Sequence, residues 1–345
     1  MKYMLTESIQ NVSEFKLHGS TLIYKSGNGI KEKYLFFNRK RIEISGVTGF
    51  QIVDGIVVFS TWSDGDFKID LKTNNMEPVR TQLGKISEIR AENYLFFKKS
   101  EKTSVFNIDC DQVVDEIPSG LINLSTVVVE KMIVSQIENE VWAFALHGGK
   151  LIWRVDLSAF GMYKNILNKE HPQEVRFFIG IIKKRLIVQL SNASFLFVDV
   201  NNGSQIKLIQ LNELFPLPSG NYYDDYIPAH LLGNHLIWLS NQRLLRVDLN
   251  SYEVHLIKDY FLDPRENQFR FMKNTIFEGK IYFVADYGWQ YITPSYVGVM
   301  DATTGEVLWK QQLEKTGGLP NAPQVTKDKL YVLTANKVLH IFQKV

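Results

Sequence analysis

The sequence predicts an all-β fold, an eight-bladed β-propeller of four-stranded antiparallel blades, on three observations. First, one grammar of apolar strand, tight polar turn, apolar strand ending near Asp, and third strand recurs eight times along the chain. Second, 345 residues divided among eight copies leave about 43 each, within the range of propeller repeats. Third, the last copy stops one strand short, and Tyr3-Met4-Leu5-Thr6 at the other end of the chain is free to supply it.

The copies run in order. The first holds Thr21–Tyr24, Tyr34–Phe37 and Arg41–Ile44, and the second Ile56–Phe59, Phe67–Asp70 and Glu77–Val79. The third holds Tyr94–Phe97, Val105–Asp109 and Val113–Ile117, and the fourth Met132–Val134, Val141–Phe144 and Gly149–Trp153. Leu186–Val188, Phe195–Asp199 and Gln205–Ile209 make the fifth; Leu236–Leu239, Leu245–Asp248 and Glu253–Leu256 make the sixth. The seventh joins Ile281–Val284 to Tyr296–Asp301 and Val307–Lys310, and the eighth has Leu330–Leu333 and Val338–Phe342. A further short strand precedes most copies, giving four per blade. Two β-sandwiches would also carry many short strands, but not one grammar throughout. Seven blades is the alternative count, because the first copy lacks the Asp turn.

The seventh copy is the most regular. In Tyr296-Val297-Gly298-Val299-Met300-Asp301-Ala302-Thr303-Thr304-Gly305-Glu306-Val307-Leu308-Trp309-Lys310, apolar residues alternate as in half-buried strands. Asp301 starts the turn as a side-chain acceptor and Gly305 ends it where positive φ is needed. This hairpin resembles the repeat of the pyrroloquinoline-quinone (PQQ)-like β-propeller family, with its Leu-Asp-x-x-Thr-Gly-x-x-x-Trp pattern. Val141–Trp153 is a second copy, with Leu146-His147 in place of Leu-Asp. The resemblance implies that Trp153 and Trp309 dock one blade on the next. Asp70, Asp109, Asp199, Asp248 and Asp301 are expected to cap turn N–H groups.

True quinoprotein dehydrogenases of that family hold PQQ with calcium, a tryptophan floor and often a disulfide between adjacent cysteines. Cys110 is the lone cysteine and cannot form one. No set of calcium ligands and no haem-attachment motif accompanies it, so no cofactor and no metal are expected. The histidines show no metal-ligand spacing, and Ser63-Asp64-Gly65-Asp66 reads as a turn rather than a calcium loop. Phosphate-binding and nucleophile-elbow motifs are absent from the sequence.

A formal net charge of +2 gives no field that would gather nucleic acid. Lys183-Lys184-Arg185 and Arg39-Lys40-Arg41 read as solvated turns. No apolar run reaches the length of a membrane span, and the N-terminal stretch, interrupted by Glu7 and Gln10, is expected to carry no signal peptide. With a single cysteine, the expectation is a cytoplasmic, monomeric protein that contacts neither membrane nor nucleic acid.

One domain is expected over residues 1–345, with insertions at about 156–175, 212–230, 258–274 and 285–295. In an antiparallel blade with strands A to D, the A–B and C–D turns share one end, and the B–C loops and D–A crossovers share the other. All four insertions belong to the second end. Leu157, Phe160, Tyr163 and Leu167 are spaced like a short helix. Long loops on a rigid scaffold are where binding residues concentrate. These carry Tyr222, Tyr223, Tyr226, Tyr260, Tyr287, Trp289 and Tyr291 as amphipathic anchors, with Asp224, Asp225, Asp263, Arg265 and Asp286 as polar contacts. They define the expected binding surface, for a protein partner or, alternatively, a small ligand. No catalytic set is evident. The rival readings are a hydrolase or lyase using two of those carboxylates, and a relic PQQ-dependent dehydrogenase.

Overall fold

A computed structural model describes residues 1–29, 31–79, 85–91, 94–98, 101–121, 126–129, 131–164, 169–217, 223, 225–288, 294–314 and 316–345. The fold is an eight-bladed β-propeller of four-stranded antiparallel sheets. Blade 1 comprises Val12–His18, Thr21–Ser26, Tyr34–Phe37 and Lys40–Arg41, and blade 2 Val47–Val53, Ile56–Thr61, Asp66–Asp70 and Met76–Pro78. Blade 3 comprises Lys85–Ala91, Tyr94–Lys98, Lys102–Asn107 and Gln112–Pro118, and blade 4 Thr126–Val129, Met132–Ile137, Glu140–Ala145 and Leu151–Asp156. Blade 5 holds Val175–Ile182, Arg185–Leu190, Ser194–Asp199 and Gln205–Gln210; blade 6 holds His230–Leu232, His235–Ser240, Arg243–Asp248 and Val254–Asp259. Blade 7 holds Phe269–Phe277, Lys280–Tyr287, Tyr296–Asp301 and Val307–Gln312.

Blade 8 takes Gln324–Val325, Lys329–Leu333 and Leu339–Lys344 from the C-terminal end of the chain and Tyr3–Ile9 from the N-terminal end. The N-terminal strand pairs antiparallel with Leu339–Lys344, from Tyr3 opposite Lys344 to Ile9 opposite Leu339. Tyr3 is buried against Trp309, ring centroids 5.3 Å apart. The missing strand is therefore supplied as the sequence predicts, and the count is eight rather than seven.

The chain divides into two compact units. One contains residues 1–20, 192–195 and 209–345; the other contains 21–191 and 196–208. In both, the second strands are buried on both faces, as are the third strands of blades 5 and 7. Phe195–Val198 in blade 5 and Val297–Met300 in blade 7 have four consecutive buried residues each. The strand Tyr296–Asp301 is thus core rather than half-buried, and Gly298 fits because a Cβ there would run into the Phe283 ring and the Trp309 carbonyl. Continuous apolar runs mark strands covered on both sides. Two fourth strands alternate instead: Gln112–Pro118, and Leu151–Asp156, with Trp153 and Val155 buried between exposed neighbours.

Four C–D turns are built alike. The N–H groups of Asp70, Asp199, Asp248 and Asp301 each donate to the carbonyl five residues on, and the N–H four residues on returns to the Asp carbonyl. The residues at that fourth position, Asn74, Gly203, Tyr252 and Gly305, all have φ between 58° and 74°. Each Asp side chain caps the turn, as Asp301 does for the Thr303 and Thr304 N–H groups at 2.8 and 3.0 Å. The turn N–H groups hold the Asp70 and Asp248 carboxyls below their ordinary values, and the Thr303 hydroxyl, with the N–H groups behind it, does so for Asp301. Blade 3 differs. There Asn107 caps the Asp109 and Cys110 N–H groups, so the cap expected of Asp109 belongs to the residue two before it.

Candidate functional site

Three of the four long connections lie in the first unit: 211–229, 260–268 and 288–295. Each leaves from the B–C or D–A end of its sheet.

The first begins with one helical turn, Leu211–Leu214, whose Leu211 N–H donates to the Ala193 carbonyl at 3.1 Å. Arg243 fastens the residues after that turn. Its Nη1 donates to the carbonyls of Phe215 at 2.8 Å and Pro216 at 3.2 Å, and to the Tyr223 hydroxyl at 3.0 Å. Its Nε donates to Asp259 Oδ2 at 3.0 Å. The Tyr223 hydroxyl donates in turn to the Phe215 carbonyl. Burial pushes the Tyr223 hydroxyl up. Burial alone would lower the Arg243 guanidinium, but Tyr223 and Asp259 outweigh it and leave it above its ordinary value. The Tyr223 ring stacks on Trp238 at 5.5 Å, and the Trp238 indole N–H donates to the Ile227 carbonyl. Asp225 Oδ2 accepts the Asn192 N–H at 3.0 Å.

The second connection opens with a 3-10 turn, Tyr260–Leu262, capped by Asp259 through the Phe261 N–H. Tyr260 is fully buried and its hydroxyl donates to the Gly305 carbonyl at 2.7 Å. Asp263 accepts from the Arg265 N–H at 3.0 Å and from its guanidinium, and lies 3.0 Å from Lys258 Nζ. The Arg265 and Lys258 hydrogen bonds hold its carboxyl far below the usual carboxylate range. Lys310 binds Glu266 at 2.8 Å and sits 4.2 Å above the Phe269 ring.

The third follows Asp286, which is buried 3.3 Å from Arg270 on the neighbouring strand. Burial raises the Asp286 carboxyl, and Arg270 opposes that rise. Tyr287 packs on Phe269 at 5.0 Å and Tyr296 at 5.9 Å. The Gly288 N–H donates to the Gln268 carbonyl, joining this connection to the second.

These anchors correct part of the reading from sequence. Tyr223, Tyr260, Asp263 and Asp286 are buried, and their side chains hold the insertions down. Asp225 serves the same purpose through Asn192. Tyr226, Arg265 and Tyr287 are exposed. Tyr222, Asp224, Trp289 and Tyr291 lie outside the described residues. Two further exposed residues, Leu214 and Leu262, were not foreseen, because a single aliphatic in a loop carries no sequence signal. Among the described residues in and beside these three connections, the exposed large apolar groups are Leu262 (81% exposed), Tyr226 (66%), Leu214 (55%) and Tyr287 (49%).

The described carboxylates do not pair with one another. Asp263 faces Lys258 and Arg265, Asp286 faces Arg270, and Asp225 faces a backbone N–H. Among the described residues, no three His, Cys, Asp or Glu side chains are placed to hold a metal ion, and no helix is long and apolar enough to cross a membrane.

The fourth connection, 157–174, belongs to the second unit. Among the described residues there, the expected helix is absent, and Leu167 lies outside them. Leu157–Phe160 forms a 3-10 turn capped by Asp156, and Met162–Lys164 pairs with Glu170–Pro172 as a small hairpin. The Tyr163 hydroxyl donates to Glu174 at 3.0 Å, and Arg176 binds the same carboxylate at 2.8 Å.

No protein-family model matches the chain, and no curated protein matches it. Solved structures do. The crystal structure of BamB from Moraxella catarrhalis aligns with a TM-score of 0.58 at 11% identity, over 99% of this chain and 100% of that one. The C-terminal WD40 domain of Sif2 aligns at 0.61 and 11%, over 99% and 98%. A europium-containing methanol dehydrogenase aligns at 0.56 and 10%, over 99% and 93%. Identities this low establish the shared fold.

Proposed function

We propose that the chain is a non-enzymatic β-propeller that binds a protein partner through the insertions of its first unit. The observation that carries this reading is the pairing of exposed Leu214, Tyr226, Leu262 and Tyr287 with a buried frame beneath them. Arg243, Tyr223, Trp238, Asp263 and Asp286 fix the insertions before any partner arrives, which lowers the ordering cost of association. Apolar and tyrosine side chains on a rigid frame are what protein interfaces are built around. The β-propeller is commonly a protein-interaction scaffold, which supports the same reading.

The whole chain is taken as one propeller domain, acting as a monomer in the cytoplasm. The hairpin Tyr296–Lys310 and the likeness to BamB and the methanol dehydrogenase structures support a distant tie to PQQ-type repeats. No cofactor enters this reading. The carboxylate-enzyme reading gains no support from Asp225, Asp263 and Asp286, each of which has its own counter-group.

The test is site-specific photo-crosslinking in the native cell. A photoreactive amino acid replaces Tyr226, Leu262 or Tyr287 in one set, and Lys72 or Asn250, on C–D turns, in the other. The reading expects one and the same protein adduct from the first set and not from the second. Adducts that fail to distinguish the two sets, or no adduct at Leu262 and Tyr226, would overturn it.

A further inference from the structure

A different surface, in the second unit, has its own composition. Blades 4 and 5 place exposed Lys131, Lys150, Lys183, Lys184 and Lys207 on or beside their A–B and C–D turns. Hydrogen bonds gather most of them. The Lys131 carbonyl accepts the Leu146 N–H, tying one A–B turn to the C–D turn that ends in Lys150. Three residues on, the Trp153 indole N–H donates to the Val200 carbonyl at 2.6 Å. The Val200 N–H donates to the Lys184 carbonyl at 3.0 Å. Lys131, Lys150 and Lys184 thus stand along one connected path of turns, with Lys183 beside Lys184. Two carboxylates stand at these turns among the described residues: Asp199, whose Oδ1 accepts from the Asn201 N–H and Nδ2, and Asp115 of blade 3, whose Oδ2 accepts the Gly148 N–H. The corresponding C–D turn is acidic in blade 3, with Asp109 and Asp111, and in blade 6, with Asp248 and Glu253, and basic in blade 1, with Arg39, Lys40 and Arg41.

Apolar groups adjoin these lysines. Leu151 and Ile152 follow Lys150, and Ile206 precedes Lys207; all three are exposed. Ile152 is the extra residue of a β-bulge, since Phe144 faces Leu151 while Ala143 faces Trp153. Counted from the residue that closes each C–D turn, Ile206 holds the same place in blade 5, where blade 2 has Glu77 and blade 6 has His255. Both fourth strands end their sheets, so one side of each backbone has no strand partner.

We propose that the turn end of blades 4 and 5 docks an extended, acidic polypeptide segment that carries aliphatic side chains. The lysines meet its carboxylates, and the fourth-strand edge with Leu151, Ile152 and Ile206 meets its backbone and apolar side chains. A lipid surface fits less well. The turn tips, Gly148-Gly149 and Asn201-Asn202-Gly203, are polar and the aliphatic groups sit behind them, whereas membrane insertion needs apolar groups foremost.

The test uses the full chain and a fluorescent 12-residue peptide of alternating Glu and Val, read by anisotropy at low and high salt. Peptides of alternating Lys–Val and Glu–Ser, vesicles of 70:30 phosphatidylcholine and phosphatidylserine, and a 20-nucleotide oligo-dT are the comparators. The Glu–Val peptide is expected to bind on the order of tenfold tighter than either peptide comparator, and to weaken with salt. Lys183→Asn with Lys184→Gly removes two charges while supplying the residues a turn with two positive φ values prefers, since these lysines have φ of 50° and 62°. That variant should melt no lower and lose on the order of tenfold in affinity. Ile152→Ser with Ile206→Ser should weaken binding while leaving its salt dependence in place. Equal binding of Glu–Val and Lys–Val, full affinity in the lysine variant, or tighter lysine-dependent binding of the vesicles or oligo-dT overturns the proposal.

Discussion

The indole N–H of Trp153 donates to the carbonyl of Val200 across 2.6 Å, from the last strand of blade 4 to the C–D turn of blade 5. The ring also lies against Gly203, where an added Cβ would meet it at 2.9 Å. Tyr260 uses its hydroxyl in the same way on the Gly305 carbonyl of blade 7. At these two pairs of blades the docking contact is a large aromatic side chain hydrogen-bonded to a turn closed by a left-handed residue. The turn and the aromatic have to fit each other.

Gly203→Ala tests that fit. The left-handed φ of 74° and the clash with Trp153 together should cost about 2–4 kcal/mol. Gly279→Ala, also left-handed but with open space around it, should cost only about 1 kcal/mol. Urea unfolding of both variants reads the difference, and equal losses would remove the docking argument.

Arg243 is the residue on which the first insertion hangs. Arg243→Met leaves Asp259 Oδ2 and the Pro216 carbonyl without the guanidinium that donates to them, and should cost about 3–5 kcal/mol. Hydrogen exchange should rise first at residues 211–217, ahead of blade 6. Uniform loss of protection would mean that Arg243 serves the blade rather than the insertion.

His230 predicts a pH dependence. Its Nε2 lies 2.9 Å from Asn274 Oδ1, and burial lowers its pKa below the ordinary value despite that hydrogen bond. The unfolded chain therefore binds the proton more readily, and stability falls as the pH drops below about 6.5. His340 is lowered by burial as well. His230→Gln, which keeps a donor for Asn274, should flatten part of the stability loss between pH 7 and pH 5. An unchanged slope would place His230 outside the linkage.

The N-terminal strand should behave as a separable part of blade 8. Tyr3→Ala is expected to cost about 3–5 kcal/mol. A chain lacking residues 1–10 should lose more, because the edge of Leu339–Lys344 is then open. Adding a peptide of residues 1–11 should raise its melting temperature. No shift at saturating peptide would contradict this role for the pairing.

The blades were legible because their signals are local. Apolar runs bounded by Asp turns and left-handed Gly or Asn mark each hairpin, and the odd strand count at the C-terminus named Tyr3–Thr6 as the completing strand. The insertions were less legible because their contacts are remote. Tyr223 reads the same whether it faces a partner or Arg243, twenty residues away, and Tyr260 reads the same until Gly305 is beside it. Leu157, Phe160 and Tyr163 fit a helical spacing, yet Tyr163 pairs with His171 in a hairpin and binds Glu174. Asp109 looked like the other capping residues, but in blade 3 Asn107 holds the capping place, four residues before the left-handed Asp111.

The most direct test of the proposed function is the affinity of the partner found by crosslinking for the variant Leu214→Ser/Tyr226→Ser/Leu262→Ser/Tyr287→Ser. These side chains are exposed, so the fold should melt within a few degrees of the parent. The affinity should fall about 100-fold or more. A dissociation constant within twofold of the parent's would contradict the assignment of the insertions as the binding surface.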